Sequence, residues 1–391
     1  MPTPSTPPLG SKASARPSSR CVHASSGWAS FGTHPSLSPD LSAQEANEER
    51  PGIGHPLVCC LACAGGIVNN TVDFTNIKTG WKIDGEVLAT ILEIPVVTLI
   101  NDFEAQGYGL LTLGDREVHK LNNGAVRAGA PIACVGAGTG LGECFLTADA
   151  TSGNYTCWPC EGGHAEFSPR DQLGVDFLVF LKSLHSEKKR VSIERICSGP
   201  GLCAIYHFLR QHWAFAELTN PKIEAAMDAA PAHKQAKVIA DGSKAGDIVC
   251  KKAVSIFCTY YGSELGVAAL KYLPYGGLYI SGGIAAKNPD WITSEEFQSA
   301  YKDKGRLSPL VEQIPLYQVK VEDTGERGAL FVACKILCET KGRMEVKKAP
   351  PTKKFAPLTT KDDEGVTPTE PVSPKSVSRS SLPSPSRFGG L

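Results

Sequence analysis

The sequence predicts an α/β protein large enough for two domains. Short runs of apolar, often β-branched residues alternate with segments whose apolar residues recur at helical spacing. The clearest run, residues 94–100, has the pattern of a parallel strand buried on both faces, and residues 103–111 after it predict a helix. At 391 residues the chain can hold two ordinary domains with sizeable cores.

The remaining elements follow in chain order from residue 57. A buried strand over 57–64 precedes Gly65-Gly66 and a weaker strand region over 67–74, and Asp84 is placed to cap a helix over 85–93. The other predicted strands cover 131–135, 143–148, 277–280 and 315–321, and the other predicted helices cover 171–185, 202–211, 246–273 and 327–339.

Both ends of the chain have a composition that cannot form a packed core. Residues 1–56 are rich in Ser, Pro and Gly, and residues 341–391 are rich in Pro, Ser, Thr and Lys. We therefore predict a disordered leader and a disordered tail. The alternative for the leader is an organellar transit peptide, since it has basic residues but no acidic residue before Asp40.

Charge and cysteine content limit the partners and the compartment. Forty basic and forty acidic side chains give a formal net charge of zero, so no global field favours nucleic acid or an anionic membrane. The longest apolar stretch, residues 57–68, is too short to span a bilayer. Fourteen cysteines without regular spacing indicate free thiols in a reducing compartment, and hence the cytoplasm.

Asp102 is the leading candidate for a catalytic base. It follows the strand over 94–100, and in open α/β sheets ligands bind beyond the carboxyl ends of the strands. A carboxylate delivered there, with the amide of Asn101 beside it, can accept a proton from a hydroxyl group. The alternative is structural, with Asp102 serving as the N-cap of the following helix.

The segment GAGTGLG, residues 136–142, predicts a glycine-rich hairpin that binds phosphate. Its glycines, Gly136, Gly138, Gly140 and Gly142, let the backbone N–H groups approach an anion, and Thr139 adds a hydroxyl donor. A strand follows instead of a helix, so neither the dinucleotide fingerprint nor the Walker pattern is matched. The alternative is a tight hairpin without a ligand.

The segment CWPCEGGH, residues 157–164, supports two interpretations. Glu161 and His164 can be polar groups held on a glycine-rich loop to bind a ligand. Alternatively Cys157, Cys160 and His164 bind a metal, although no clear fourth ligand is near. Glu194 is either another ligand-facing carboxylate or an ordinary surface charge.

Taken together, these motifs resemble the bacterial-type glucokinases of the hexokinase superfamily. They stand in the family's order over about residues 57–339, as LINDFEA at 99–105, GAGTGLG at 136–142, EGGH at 161–164, IER at 193–195, SGPG at 198–201, SGGI at 281–284 and DKGR at 303–306. The resemblance implies a two-lobed fold of the actin and hexokinase type with mixed sheets. Its small lobe would comprise residues 57–119 and 325–340, and its large lobe residues 120–324.

The resemblance also implies a function and a role for each residue. Asp102 would accept the proton of the 6-hydroxyl of glucose while ATP, with Mg²⁺, donates its terminal phosphoryl group. The other sugar hydroxyls would be bound by Asn101, Glu161, His164 and Glu194. The 136–142 hairpin would hold the phosphates, and the turn with Gly282 and Gly283 would line the adenosine pocket. Whether the chain forms a homodimer is left open.

One family feature is not found in the sequence. The family opens with a strand ending in an Asp-Gly-Gly-Thr turn that holds phosphates, and residues 1–56 contain no such motif. We therefore expect an incomplete small lobe with an exposed sheet edge. Two hypotheses stand at this point, an ATP-dependent glucokinase and a catalytically inactive glucose-binding homologue.

Overall fold

The computed structural model describes residues 55–74, 80–184 and 190–348, with side chains described as far as residue 340. Most of the predicted leader and most of the predicted tail lie outside these residues. Among the described residues, those up to Lys341 form one compact unit.

The observed elements match the predicted ones in type, with ends that shift by a few residues. The strands are β1 (Val58–Cys63), β2 (Ile67–Val68), β3 (Thr71–Phe74), β4 (Trp81–Asp84), β5 (Val96–Asn101), β6 (Val118–Lys120), β7 (Ile132–Ala137), β8 (Leu141–Ala148), β9 (Tyr155–Cys160), β10 (Gly277–Ser281) and β11 (Leu316–Val319). The helices are α1 (Gly85–Ile91), α2 (Asp102–Leu110), α3 (Gln172–Leu184), α4 (Gly199–Leu209), α5 (Pro221–Ala229), α6 (Ala232–Lys244), α7 (Ile248–Tyr272), α8 (Gly283–Lys287), α9 (Pro289–Thr293), α10 (Glu295–Lys302), α11 (Ser308–Glu312) and α12 (Thr324–Lys348). Strands β4, β6 and β9 and helices α5, α6 and α8 to α11 were not predicted.

A six-stranded mixed sheet forms the centre of the fold. Its strand order is β6-β11-β10-β7-β8-β9, with β7, β10 and β11 parallel to one another. Strands β6, β8 and β9 are antiparallel to their neighbours. The parallel centre places the carboxyl ends of β7 and β10 side by side, where Gly136 pairs with Ser281.

Both faces of this sheet are covered. Alternate residues of β7, such as Ala133 and Val135, face the larger core, which α7 and the helices around it supply. Cys134, between them, faces a second core shared with Ala105 and Tyr108 of α2. This second core spans the predicted boundary at residue 119, so the division into two lobes stays a prediction.

Strands β1 and β5 pair in parallel as a separate two-stranded sheet. The prediction of burial on both faces of β5 holds at Leu99 and Ile100 but is wrong at Val96 and Thr98, which are partly exposed. The predicted burial of β1 is also wrong, because residues 58–61 are only half-buried. The physical reason is that β5 is the only strand paired with β1 in the described part of the chain.

Helix α7 is long and apolar enough, by length and composition, to cross a membrane. However, 67% of its most apolar window is buried inside the protein. A core helix passes the same test, and Val249, Ala253 and Phe257 are fully buried in the larger core. We therefore assign α7 to the core.

Candidate active site

Asp102 lies where strand β5 ends and helix α2 begins. The N-cap is Asn101, whose Oδ1 accepts hydrogen bonds from the N–H groups of Phe103 (2.8 Å) and Glu104 (3.2 Å). The interpretation of Asp102 as N-cap is therefore wrong. Asp102 is the first residue of the helix, and its side chain is exposed, so the carboxylate is available for another role.

Asn101 ties this strand end to the turn after β1. Its Nδ2 donates to the carbonyl oxygen of Gly65 at 2.9 Å, while Oδ1 serves the helix cap. An amide group has two N–H bonds, so one hydrogen remains for an outside acceptor. The side chain is thus held rigidly and still has one donor to offer.

The surroundings of Asp102 raise its pKa. The main cause is partial desolvation, because protein atoms surround much of the carboxylate at longer range although solvent still reaches it. The negative charge of Glu161 raises the pKa further, and the hydrogen bond from the Phe103 N–H opposes the shift. A carboxylate with a raised pKa is a stronger base and better suited to take a proton from a hydroxyl.

Phe103 joins helix α2 to the glycine-rich hairpin. Its ring lies so close to Gly142 that a Cβ atom there would overlap it, and it also contacts Gly136. The glycines at these positions therefore allow the close approach, besides any role in binding an anion. Because Phe103 follows Asp102 directly, this packing places the carboxylate next to the hairpin.

The Gly142→Ala substitution should therefore destabilise the protein by roughly 1–3 kcal/mol, as expected when a methyl group is forced into a filled space. Urea unfolding measures the loss. Gly66→Ala is a suitable control, because a Cβ at Gly66 meets no atom within 4 Å. Equal stability of the two variants would contradict the contact.

The hairpin prediction for residues 136–142 is confirmed. Ala137 pairs with Leu141, leaving Gly138, Thr139 and Gly140 as the loop. The Gly138 N–H donates to the Gly140 carbonyl at 2.8 Å. The N–H groups of Thr139 and Gly140 have no acceptor among the described residues. These two donors, with the Thr139 hydroxyl, can bind an anion.

The second glycine turn lies beside this hairpin. Strand β10 ends at Ser281, next to Gly136 of β7. Gly282 follows with φ of +86°, and a Cβ there would lie 2.6 Å from the carbonyl oxygen of Ala137. Gly283 then begins α8. The two glycine turns thus share one edge of the sheet.

A three-residue helical turn, Gly162–His164, follows β9, with Glu161 directly before it and His164 as its last residue. The Glu161 Oε2 and His164 Nε2 atoms are 3.7 Å apart, and the two side chains are 69% and 54% exposed. The Ile193 N–H donates to the Ala165 carbonyl at 2.8 Å, which ties this turn to the segment that carries Glu194. Both side chains are free to meet a ligand.

Glu194 lies at the base of the hairpin and is half-buried. Its Oε2 accepts a hydrogen bond from the Leu141 N–H at 3.2 Å and lies 2.7 Å from the place of a Cβ on Gly140. The surface-charge interpretation is therefore wrong. Glu194 supports the hairpin, and its carboxylate lies where a ligand beside the loop would meet it.

The structure thus brings the predicted residues together around the hairpin of β7 and β8. Asp102 is held there because Phe103, the next residue, packs on Gly142. Glu194 is held there by the hydrogen bond from the Leu141 N–H, and the charge of Glu161 raises the pKa of Asp102. Three carboxylates, an imidazole and an amide form a set that can bind several hydroxyl groups, since each hydroxyl both donates and accepts.

The metal interpretation of Cys157 and Cys160 is not supported. Residues three apart on a strand face opposite sides, and Cys157 is buried in the second core while the Cys160 Sγ lies 3.0 Å from the Tyr272 hydroxyl. In the described ranges, no group of three or more His, Cys, Asp or Glu residues could hold a metal ion.

Sequence reasoning missed Glu143, a carboxyl group under the Glu161–His164 turn. It is fully buried on β8, opposite Cys160. Burial raises the pKa of Glu143 to about 7, and the nearby carboxylate of Glu264 adds to the shift. The available signal was a charged residue in the otherwise apolar strand sequence LGECFL.

Comparisons with known proteins find relatives of one family. The sequence profile of the family Glucokinase matches residues 30–335, a range that begins within the predicted leader. A glucokinase from Nostoc sp. is 40% identical over 291 residues, covering 72% of this chain and 83% of the relative. A glucokinase from Synechocystis sp. is 36% identical over 313 residues, covering 75% of this chain and 86% of the relative.

Solved structures give the same picture of the fold. The crystal structure of glucokinase from an Antarctic psychrotroph superposes with a TM-score of 0.60 at 26% identity, covering 75% of this chain and 85% of that one. Glucokinase from Balamuthia mandrillaris in complex with glucose gives a TM-score of 0.62 at 21% identity, covering 75% and 82%. At 21% identity, the second comparison bears on the fold alone.

Proposed function

The chain belongs to the glucokinase family, and from this membership and the site above we propose that Asp102 is the base of an ATP-dependent glucose 6-kinase. The observation that carries the proposal is the placement of the Asp102 carboxylate at the end of β5, with a raised pKa and beside a glycine-rich hairpin. In this mechanism, Asp102 accepts the proton of the sugar 6-hydroxyl as that oxygen attacks the terminal phosphorus of ATP.

The sugar is bound by groups that match its ring of hydroxyls. Glu161 and Glu194 accept hydrogen bonds, His164 can donate or accept, and Asn101 donates its remaining amide hydrogen. The protein holds Asn101 and Glu194 in place through their own hydrogen bonds, at 2.9 Å and 3.2 Å. A site of this kind rejects a sugar that lacks a hydroxyl, because one of its polar groups is then left without a partner.

In this proposal, the nucleotide binds on the other side of Asp102 from the sugar. The N–H groups of Thr139 and Gly140, which have no acceptor among the described residues, suit phosphate oxygens. Gly136 and Gly142 allow Phe103 to pack below the loop. The turn with Gly282 and Gly283 is placed to border the adenosine.

Phosphoryl transfer also needs a cation, which Mg²⁺ supplies by neutralising the phosphate oxygens. The hydrogen-bond donors of the 136–142 loop fit this requirement. The loop offers backbone N–H groups and a hydroxyl to the phosphates, so ATP can carry the ion with it. ATP and Mg²⁺ are therefore part of the proposal.

The relatives named glucokinase give the inactive alternative no support. A coupled assay on this chain with glucose and Mg·ATP tests the proposal directly, with formation of glucose 6-phosphate as the expected result. Glucose binding by calorimetry without any turnover would instead favour the inactive alternative.

Replacing Glu161 with Ala should weaken glucose binding by roughly 1–3 kcal/mol, the usual cost of losing a hydrogen bond to a charged group. Isothermal titration calorimetry with glucose measures the change. Glu166→Ala is the matched control, because it removes an exposed carboxylate five residues away. Unchanged affinity in Glu161→Ala would count against the role.

We also propose that the protein works in the cytoplasm. All the cysteines in the described part of the chain are free thiols, which fits a reducing compartment. A transit peptide would require residues 1–54, which lie outside the described residues. The formation of a homodimer also stays a prediction.

A further inference from the structure

A buried carboxyl group, Glu143, lies beneath the turn that carries Glu161 and His164, and a second buried carboxyl group, Glu264, neighbours Glu143. Glu143 is 0% exposed and Glu264 is 8% exposed. The Oε1 atom of each is buried without a hydrogen-bond partner among the described residues. The two side chains are within hydrogen-bonding reach of each other. Since two unpaired buried carboxylates are very costly, one proton shared between them is the physically reasonable arrangement.

Glu143 is in direct contact with the turn above it. The space that a Cβ atom on Gly162 would need is filled by the Glu143 carboxyl group. The Tyr272 hydroxyl donates to the Glu143 Oε2 at 3.4 Å and lies 3.0 Å from the Cys160 Sγ. The floor of the turn is therefore a polar cluster that includes the carboxyl pair.

We propose that Glu143 is a positioning residue for the sugar-binding turn, held under Gly162 by one proton shared with Glu264. The inference rests on the proposed role of Glu161 and His164 as sugar ligands. Neither Glu143 nor Glu264 would touch the sugar. Together they would fix the position and orientation of the turn whose side chains do touch the sugar.

The neighbouring titratable groups determine the pH at which the shared proton is lost. The titratable groups that face the pair come from several elements, and they are Cys160 on β9, Cys197 before α4, Tyr261, Lys271 and Tyr272 on α7, and Lys304 after α10. Burial raises the pKa of Glu143 to about 7, with the charge of Glu264 adding to the shift and that of Lys271 opposing it. Above that pH, two adjacent carboxylates repel each other under the turn.

The test compares the wild type with Glu143→Gln and Glu143→Ala, using glucose affinity by calorimetry at pH 6, 7 and 8. Wild-type affinity should fall by roughly threefold to tenfold from pH 6 to pH 8 as the pair loses its proton. Glu143→Gln, which keeps the size and donates an N–H to Glu264, should bind as the wild type does at pH 6 and show a smaller fall. Glu143→Ala should bind about tenfold more weakly throughout.

His164 is present in every variant, so the difference between wild type and Glu143→Gln isolates the pair. Glu166→Gln is the matched control, since it neutralises an exposed carboxylate near the same turn. If Glu143→Gln retains the full wild-type pH dependence, the proposal is wrong. Glu264→Gln gives a second neutral variant in case Glu143→Ala does not fold.

A second measurement tests the positioning role in the absence of sugar. The Ala165 N–H donates to the Gly162 carbonyl at 2.9 Å, so its hydrogen exchange at pH 7 reports the order of the turn. We expect exchange to be about tenfold faster in Glu143→Ala than in Glu143→Gln; equal exchange would overturn the positioning role. If the exchange difference is found but the wild type binds no glucose, the proposed function is wrong and only the support of the turn by Glu143 stands.

Discussion

Replacing Asp102 with Asn should lower the turnover of glucose by a factor of ~10² or more while leaving glucose affinity nearly unchanged. The amide has almost the same shape as the carboxylate and can still accept a hydrogen bond from the Phe103 N–H. In the wild type this N–H donates to the Asp102 Oδ1 at 2.9 Å. It cannot take up the proton of the 6-hydroxyl. A factor of 10² corresponds to about 2.7 kcal/mol in the activation free energy.

Two measurements separate this effect from a general loss of structure. Calorimetry with glucose should give nearly wild-type affinity, and the melting temperature should change little because Asn101, not Asp102, caps helix α2. Asp115→Asn is the matched control, since it changes an exposed aspartate in the first turn of the short helical segment Asp115–Glu117. Near-normal turnover in Asp102→Asn would refute the assignment of the base.

The second large effect concerns stability and pH. The free energy of unfolding should fall by roughly 3 kcal/mol as the pH rises from 5 to 8, because of Glu143 alone. Its pKa is about 7 in the folded protein, against an ordinary value of 4.5. Between these values, the unfolded chain has released the proton that the folded protein keeps. Between the two pKa values, the free energy of unfolding falls by about 1.36 kcal/mol per pH unit. The stabilisation is therefore fully present below pH 4.5 and is lost as the pH passes about 7.

Other groups with shifted pKa values also contribute. Burial raises the pKa of Glu264, which adds to the fall, and lowers the pKa of His207, which opposes it within the same window. The Arg327 side chain lowers the pKa of Glu117 to about 2, so its contribution is lost only in acid. Burial lowers the pKa of Lys304 to about 8, so its effect begins at the upper end and has the opposite sign. Asp102 and Glu104 have raised pKa values and add to the fall.

Urea unfolding at several pH values tests this expectation. Glu143→Gln should be more stable than the wild type at pH 8 by roughly 1–3 kcal/mol and show a weaker pH dependence, because no buried carboxylate has to ionise at this position. The control Glu166→Gln should follow the wild-type curve. A wild-type stability that stays flat from pH 5 to 8 would mean that the pair is not buried in solution as described.

The two kinds of prediction also separate function from structure. Asp102 faces solvent and is the proposed base, so its substitution is expected to change the rate of the reaction. Glu143 is sealed inside the protein, so its substitution is expected to change stability and, through the turn at Gly162, sugar affinity. Measuring both properties on both variants shows whether the two roles are independent.

The sequence by itself determined the α/β class, the family and the glycine-rich hairpin, because these depend on local patterns. Apolar runs specify strands, helical periodicity specifies helices, and four glycines in seven residues permit only a few backbone conformations. The position of Asp102 after a strand was also visible, although its neighbour Asn101 proved to be the helix cap.

Only the tertiary structure decided which side chains meet. Residues 102, 142 and 194 are far apart in the chain, and they come together through the Phe103 ring on Gly142 and the Leu141 hydrogen bond to Glu194. The proximity of Glu143 and Glu264 was likewise invisible, because it depends on packing helix α7 against strand β8. Sequence patterns report each residue's local preference, whereas burial, shared protons and raised pKa values arise from atoms that folding brings into contact.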